Sequence, residues 1–242
     1  MWNLARPRGG GYAPKRLQTA SVLSGVPMSQ VRVHNFAVSI DGYGTGEGQS
    51  LETPFGHAQA RLMQPWFFGT RTFQAMQGGD AGSFGIDEAF ASNWGTGIGA
   101  EIMGRNKFGP QRGPWTDEEW IGWWGEDPPF HTPVVVLTHH PRPVLELEGG
   151  TTFHFVDAAP AEALAVAREL AGGLDVRIGG GVNTVRQFLQ ADLVDRMHLA
   201  VVPIVLGRGE NLWHGLEGIE SRFAVEAVSS PSGVTHQTWT RA

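Results

Sequence analysis

The chain has 242 residues, with 18 lysines and arginines against 24 aspartates and glutamates, a formal net charge of −6 and a hydrophobic fraction of 41%. Such a chain can bury a sizeable core as one large or two small domains, its acidity argues against nucleic acid or an anionic membrane as a partner, and no apolar run approaches the ~18 residues of a membrane span. The absence of cysteine excludes disulfides, thiolate metal sites and cysteine nucleophiles, and it fits a reducing cytoplasm, where we expect the protein to work.

Residues 1–29 are predicted to form a flexible extension. The segment contains Arg6, Arg8, Lys15 and Arg16 but no acidic residue, and it lacks the apolar core of about 7–15 residues that a secretory signal requires. Met28 is an alternative natural start. Residues 30–242 are expected to form one domain.

Apolar periodicity and turn residues divide this domain into strands and helices. The predicted strands cover residues 31–40, 97–103, 134–137, 152–156, 174–178, 197–206, 223–228 and 234–240, and the predicted helices cover residues 57–63, 86–94 and 160–170, with a last helix beginning near residue 184. That last helix has capping-box spacing between Thr184 and Gln187. Residues 43–99 are otherwise irregular and rich in glycine, and loops of this length in a compact domain are usually functional or mobile.

This order of elements predicts an α/β fold. Strands that alternate with helices favour a largely parallel sheet with both faces covered, and continuous apolar runs such as residues 134–137 are typical of its buried strands. The last two strands are expected to pair antiparallel. We therefore predict three layers, α/β/α, around a mixed and mainly parallel sheet with antiparallel C-terminal strands.

Four tryptophans lie within ten residues of one predicted loop, at positions 115, 120, 123 and 124. They could form a platform for a planar ligand, or they could pack a long loop onto the body of the domain. We favour packing.

The strand ends predict the position of a ligand site. Open parallel sheets bind ligands at the carboxyl ends of their strands, so the exits at Asp41, Gly104, Thr138 and Gly179 are expected to line one cleft. Residues 179–181 are three glycines between a strand and a helix. They suit an anion held by backbone N–H groups, although a tight turn is the plainer alternative.

A second anion site is predicted beside the first. Arg105, Thr138 and His139 follow two other strands and would present a guanidinium, a hydroxyl and an imidazole to a phosphate monoester. Two phosphate sites on neighbouring strands suggest NADPH, with its adenosine 2′-phosphate near Arg105 and its pyrophosphate at the glycines.

Other familiar motifs are absent or misplaced. The sequence has no Walker loop, no serine in a nucleophile elbow and no zinc-ligand spacing, so we expect no metal site. Residues 95–100 match the Rossmann fingerprint as a string, but they precede a strand where the fingerprint must link a strand to a helix. We interpret them as a chance match.

Three motifs occur in a distinctive order: residues 36–42 (FAVSIDG), residues 102–105 (IMGR), and residues 176–181 (VRIGGG) followed by 193–195 (LVD) and 202–213 (VPIVLGRGENLW). In this order they resemble the dihydrofolate reductase fold, and more closely the reductase domain of the bifunctional riboflavin-biosynthesis deaminase-reductase. The resemblance covers residues 31–242. It implies an NADPH-dependent reductase of a small molecule, commonly a homodimer.

The resemblance also implies roles for single residues. Asp41 and Gly42 would lie where substrate meets cofactor, with Asp41 and then Glu210 as candidate catalytic carboxylates. The residues expected to bind NADPH are Gly104, Arg105, Asn106, Thr138 and His139 around the adenosine phosphate, Gly179, Gly180, Gly181, Val182, Asn183 and Thr184 around the pyrophosphate, and Ala37, Ile204 and Leu206 beside the nicotinamide.

The chain departs from this pattern at several points. Tyr43 stands where the riboflavin reductases usually have lysine, the deaminase domain is missing, and residues 57–63 lack the acid that dihydrofolate reductases place on the helix after the first strand. Long loops over residues 43–99 and 109–131 should reshape the pocket. Our hypothesis is hydride transfer to a C=N or C=O carbon of a small heterocycle or ribosylaminopyrimidine. Dihydrofolate reductase and a non-catalytic NADPH-binding regulatory protein are the alternatives.

Overall fold

The structure, a computed structural model, describes residues 29–117 and 119–242. Apart from Ser29, the predicted extension lies outside these residues. The strands are β1 Val31–Ser39, β2 Tyr43–Thr45, β3 Ile98–Gly104, β4 Pro133–Leu137, β5 Leu145–Glu146, β6 Thr152–Val156, β7 Asp175–Gly180, β8 Arg196–Val202, β9 Glu210–Asn211, β10 Phe223–Ser229 and β11 Thr235–Arg241. The α-helices are α1 Arg71–Met76, α2 Ile86–Ala91, α3 Arg105–Phe108, α4 Pro160–Leu170 and α5 Val182–Gln190, and short 3₁₀ helices cover Gly56–Leu62, Glu148–Gly150 and Ile219–Arg222.

Nine strands form one sheet in the order β10-β11-β8-β1-β7-β3-β4-β6-β5. Neighbours from β8 to β6 pair in parallel, while β5, β10 and β11 pair antiparallel at the two edges. Strands β2 and β9 form a separate antiparallel pair. The predicted mixed, mainly parallel sheet with antiparallel C-terminal strands is confirmed.

Both faces of the sheet are covered by apolar packing. Successive side chains of a strand point to opposite faces, so Ile102 packs in the core beneath α4 and α5, whereas Met103 packs against Phe108 and Phe153 on the other face. A third cluster around Trp66 covers that second face near β1. Within residues 29–117 and 119–242, no helix has the length and apolar character to cross a membrane.

Several predicted boundaries are wrong for local reasons. The strand expected over residues 197–206 ends at Val202, because Pro203 has no N–H for a ladder, and the N–H groups of Leu206 and Gly207 donate to Asp41 instead. The second predicted helix ends at Ala91, and the first is a 3₁₀ segment interrupted at Gln59.

The predicted cap of the last helix is also wrong. α5 begins at Val182 with Gly181 as its N-cap, so Thr184 lies inside the first turn, where its side chain is buried against Gly104. The short helices α1 and α3 and the β2–β9 pair were not predicted, because elements of two to six residues carry little periodicity.

Candidate active site

A cleft of about 820 Å³ opens at the carboxyl ends of the central parallel strands. Its walls come from the ends of β1, β3, β4 and β7, from the start of α5, and from the long connections that follow β1 and β3. This size and position are typical of small-molecule sites in open α/β sheets. The strand exits at Gly104, Thr138 and Gly179 line the cleft, but Asp41 does not.

Most of the residues expected to bind NADPH line this cleft. Those that line the cleft are Ala37, Gly104, Arg105, Asn106, Thr138, His139, Gly179, Gly180, Gly181, Val182, Asn183 and Thr184. Ile204 and Leu206 instead pack in the apolar cluster around Trp66. Of the two candidate carboxylates, Glu210 lines the cleft, whereas Asp41 and its neighbour Gly42 lie outside it.

The basic end of the cleft is formed by residues 104–106, 111–113 and 138–140. The guanidinium of Arg105 lies over the Trp115 ring, 3.8 Å from its centre, and Nη1 donates to the carbonyl of Gly113. Nε and Nη2 of Arg105 are buried, yet neither has a hydrogen-bond partner in the described chain. Buried donors are almost always paired, so this pair of N–H groups fits an anion that binds from the cleft. Burial lowers the pKa of Arg105, and the charge of Arg112 adds to the effect.

Thr138 and His139 share this end but differ in depth. Thr138 is buried, and its Oγ1 accepts a hydrogen bond of 3.1 Å from the N–H of His140, which leaves the hydroxyl proton free to donate. The His139 side chain is 91% exposed, with Nδ1 2.9 Å from Oδ1 of Asp157. Thr138 is therefore positioned on the wall, and His139 at the mouth.

The glycine turn presents backbone donors beside this basic end. α5 has no side-chain cap, and its first intrahelical bond runs from Val185 N–H to Gly181 carbonyl, so the N–H groups of the first helical turn keep no backbone acceptor. Gly180 has a φ of 119°, which residues with a side chain rarely adopt. At Gly104 a Cβ would overlap the Thr184 hydroxyl, so glycine is needed for the close approach of β3 to α5.

A buried ion cluster forms the floor between β3 and β7. The Glu101 side chain, 2% exposed, binds Lys107 at 3.0 Å and also forms an ion pair with Arg177. Lys107 Nζ donates to the carbonyl of Gly179 at 2.6 Å, and Arg177 donates to the carbonyl of Trp94 at 3.0 Å. Desolvation lowers the pKa of Lys107, against the opposing attraction of Glu101.

We call the opposite end of the cleft the apolar end. It is lined by Thr45, Gln49, Pro54, Phe55, Met63, Phe67 and Met76, together with Glu210. Glu210 is placed there by the pairing of β9 with β2, which sets it beside Thr45. Its carboxylate makes no hydrogen bond or ion pair with residues 29–117 or 119–242.

Asp41 fixes the loop that follows β8. Its carboxylate accepts hydrogen bonds from Ser39 Oγ at 2.5 Å, from Leu206 N–H at 3.1 Å and from Gly207 N–H at 2.7 Å. Desolvation acts to raise the pKa of Asp41, but these hydrogen bonds outweigh it and lower the pKa. The side chain is thus committed to holding the ends of β1 and β8 together.

A histidine cluster lies beneath the apolar end. Nδ1 of His198 lies 3.2 Å from the backbone N–H and 3.0 Å from Oδ1 of Asn35, a cleft residue with a φ of 55°. Nε2 of His198 lies 3.0 Å from Nδ1 of His236, whose Nε2 lies 2.7 Å from Asp87. The pKa of His198 is well below its ordinary value because the ring is buried. Burial and the charge of Arg177 lower the pKa of the adjacent His34 to about 4.

The chain matches a known protein family over most of its length. The model of the RibD C-terminal domain matches residues 32–232. The chain belongs to this family. The crystal structure of a "putative riboflavin biosynthesis protein" from Shewanella sp. PV-4 is 21% identical, with a TM-score of 0.54 over 89% of this chain and 99% of that one. A pyrimidine reductase-like protein from Corynebacterium diphtheriae is 15% identical, with a TM-score of 0.47 over 89% and 92%. A comparison with curated proteins found no match.

The Shewanella structure shows that this RibD C-terminal domain shares the fold expected from the sequence. The tryptophans of the loop after β3 mainly pack that loop onto the domain, as predicted: Trp115, Trp120 and Trp124 lie against the cluster of Phe108 and Phe153. Trp123 and Trp124 also contribute to the cleft wall.

Sequence reasoning missed the ion cluster, the histidine cluster and the lining of the apolar end in this RibD C-terminal domain. One signal was present: Glu101 and Arg177 are charged residues inside otherwise apolar strands, a position that usually requires a buried partner. Nothing local in the sequence indicated that the two side chains meet.

Proposed function

We propose that this RibD C-terminal domain is an NADPH-dependent reductase of a small heterocyclic substrate, with a ribosylaminopyrimidine as the model acceptor. The observation that carries the proposal is the pair of unpartnered N–H groups of Arg105 on the wall of the same cleft as the uncapped start of α5. A phosphate monoester and a pyrophosphate are the ligands that such donors suit. Membership of a reductase-type family supports this assignment.

The residues present fit both phosphate groups. Arg105 and the Thr138 hydroxyl would hold the adenosine 2′-phosphate, with Asn106 and His139 beside them at the mouth. The backbone N–H groups of residues 182–184 would hold the pyrophosphate, and Gly179–Gly181 would let it approach the main chain. Ala37 on β1 would lie next to the nicotinamide.

The chain's own part in the reaction is placement and proton supply. Bound NADPH would supply a hydride, which adds to the carbon of a C=N or C=O bond. The nitrogen or oxygen must then take up a proton. Of the two candidate carboxylates, Glu210 is the one that lines the cleft, so we assign it the orientation of the substrate or the delivery of this proton. Asp41, with its three hydrogen bonds, is assigned a positioning role.

Arg105→Ala tests the cofactor assignment. Loss of a charged hydrogen-bond partner should weaken NADPH binding by about 1.5–3 kcal/mol. The binding of NADH should weaken much less, because NADH lacks the 2′-phosphate. The measurement is a fluorescence titration of each dinucleotide. Arg168→Ala, an exposed arginine on α4, is the control and should change neither affinity. Equal losses for NADPH and NADH would contradict the 2′-phosphate assignment.

The homodimer implied by the family resemblance and the cytoplasmic location expected from the absence of cysteine remain predictions. The outermost strand β10 exposes Val225 and Val228, which would suit contact with a second copy. Sedimentation equilibrium at micromolar concentration measures this directly.

A further inference from the structure

Apart from Glu210, the apolar end of the cleft is uncharged, because the charged side chains of residues 45–76 point away from it. Residues 45–76 contain Glu47, Glu52, Arg61 and Arg71, yet none of these lines the cleft. Glu47 pairs with Arg208, and Glu52 accepts a hydrogen bond from Ser50 outside it. The segment turns its apolar and amide side chains inward. Whatever binds here meets a surface that cannot neutralise an anion.

The nearest cations of the cleft are already committed. Lys107 donates to Glu101 and to the Gly179 carbonyl, and Arg177 donates to Glu101 and to the Trp94 carbonyl. Arg177 keeps one N–H without a partner, at Nε. A phosphate dianion needs several charged donors to offset its desolvation, which one buried N–H does not provide.

Glu210 adds a negative charge to the same end. It is the one charged side chain among the described residues of the apolar end, and its carboxylate is unpaired within them. An ionised carboxylate accepts hydrogen bonds and repels a phosphate. Its preferred neighbour is an N–H group of an uncharged or cationic ring.

Resting on the proposed reductase function, we propose that the acceptor is a planar heterocycle that carries N–H donors and no phosphate. Its ring packs among the Phe and Met side chains of the apolar end, and its N–H groups bind Glu210. The phosphate-binding capacity of the cleft lies at the basic end, where the cofactor is assigned.

Calorimetric titration tests this with a matched pair of ligands, a ribosylaminopyrimidine and its 5′-phosphate, on the protein saturated with NADP+. The unphosphorylated compound should bind at least about tenfold more tightly. The inference is overturned if the 5′-phosphate binds equally well or better, or if neither compound binds. The pair is also titrated without cofactor. Failure of NADP+ itself to bind would therefore count against the proposed function, while the preference for the uncharged ligand is still measured.

Two variants test whether residues of the apolar end determine the preference for the unphosphorylated ligand. Glu210→Gln should weaken the unphosphorylated ligand severalfold and narrow its advantage over the phosphate, whereas Glu217→Gln, an exposed carboxylate of the same loop region, should change neither. Gln49→Lys places a cation at the apolar end and should improve binding of the 5′-phosphate severalfold. An unchanged preference in both Glu210→Gln and Gln49→Lys would contradict the assignment of the acceptor to this end.

Discussion

The two ends of the cleft differ in the polar groups that they present to a ligand, although both lie on the same sheet. The basic end has donors without partners: two N–H groups of Arg105 and the uncapped start of α5. The side-chain donors of the apolar end are uncharged, the Thr45 hydroxyl and the Gln49 amide, and its one carboxylate is unpaired within the described residues. Between the two ends, Glu101 forms ion pairs with both Lys107 and Arg177, so these cations are already occupied and do not compete for a ligand phosphate. This difference supports the binding of an anionic group at the basic end and of an uncharged ring at the apolar end.

The ion cluster that separates the ends gives the largest expected effect. Glu101→Gln would leave the buried Arg177 and the partly buried Lys107 without their counter-ion, and the loss of one partner from a buried ion pair typically costs about 3–5 kcal/mol of unfolding free energy. Urea unfolding measures it. Glu226→Gln on the exposed strand β10 is the control, with an expected change within about 0.5 kcal/mol. A similarly small change in unfolding free energy for Glu101→Gln would mean that the ion cluster does not stabilise the floor of the cleft.

Acidification should act on the histidine cluster beneath the apolar end. The pKa of His34 is about 4 in the folded protein and 6.5 ordinarily, because burial and Arg177 oppose its charge. Between these values the unfolded chain binds a proton that the native chain does not, so stability falls as pH drops from 6.5 towards 4. The pKa of His198 is lowered in the same direction.

The expected loss is a few kcal/mol, because each tenfold difference in proton affinity between the folded and unfolded chain is worth about 1.4 kcal/mol. Urea unfolding at pH 7.5, 6.0 and 5.0 measures it, and His34→Gln should flatten the dependence over that range. A pH dependence that is the same in His34→Gln and in the natural protein would show that His34 does not control it.

Sequence reasoning was most successful where the site is local. The glycines at 179–181 and Arg105 lie at the carboxyl ends of β7 and β3, so the rule for strand exits predicts that they line one cleft. The residues it missed meet across long separations. Glu101 and Arg177 are 76 positions apart, and His198 and Asn35 are 163 apart. The hydrogen bonds of Asp41 to the N–H groups of Leu206 and Gly207 could not be predicted either, because those residues lie more than 160 positions away.

Gly104→Ala tests the close approach that shapes the basic end. The added methyl would overlap the hydroxyl of Thr184 on α5, and overpacking of this kind typically costs about 1–3 kcal/mol. Thermal or urea unfolding measures the loss. Thr184→Ala removes the opposing oxygen, so the double variant should recover part of the stability. Additive losses in the double-mutant cycle would contradict direct contact between the two positions.

The smallest effect is expected outside the apolar end, at the ion pair of Arg208 with Glu47. The atoms Arg208 Nε and Glu47 Oε2 lie 3.2 Å apart, a geometry close to that of Lys107 and Glu101, but both side chains are more than 60% exposed. Water screens such a pair, so Glu47→Gln should change the unfolding free energy by less than about 1 kcal/mol, and less still at high salt.

Glu47→Gln also tests the segregation of charge along residues 45–76. Because Glu47 faces solvent, its loss should leave the preference between the phosphorylated and unphosphorylated acceptors unchanged, in contrast to Glu210→Gln. Calorimetric titration of the same ligand pair measures this. A changed preference between the two ligands in Glu47→Gln would mean that charges outside the cleft wall influence binding at the apolar end. The distance of a carboxylate from the ligand would then matter more than whether it lines the cleft.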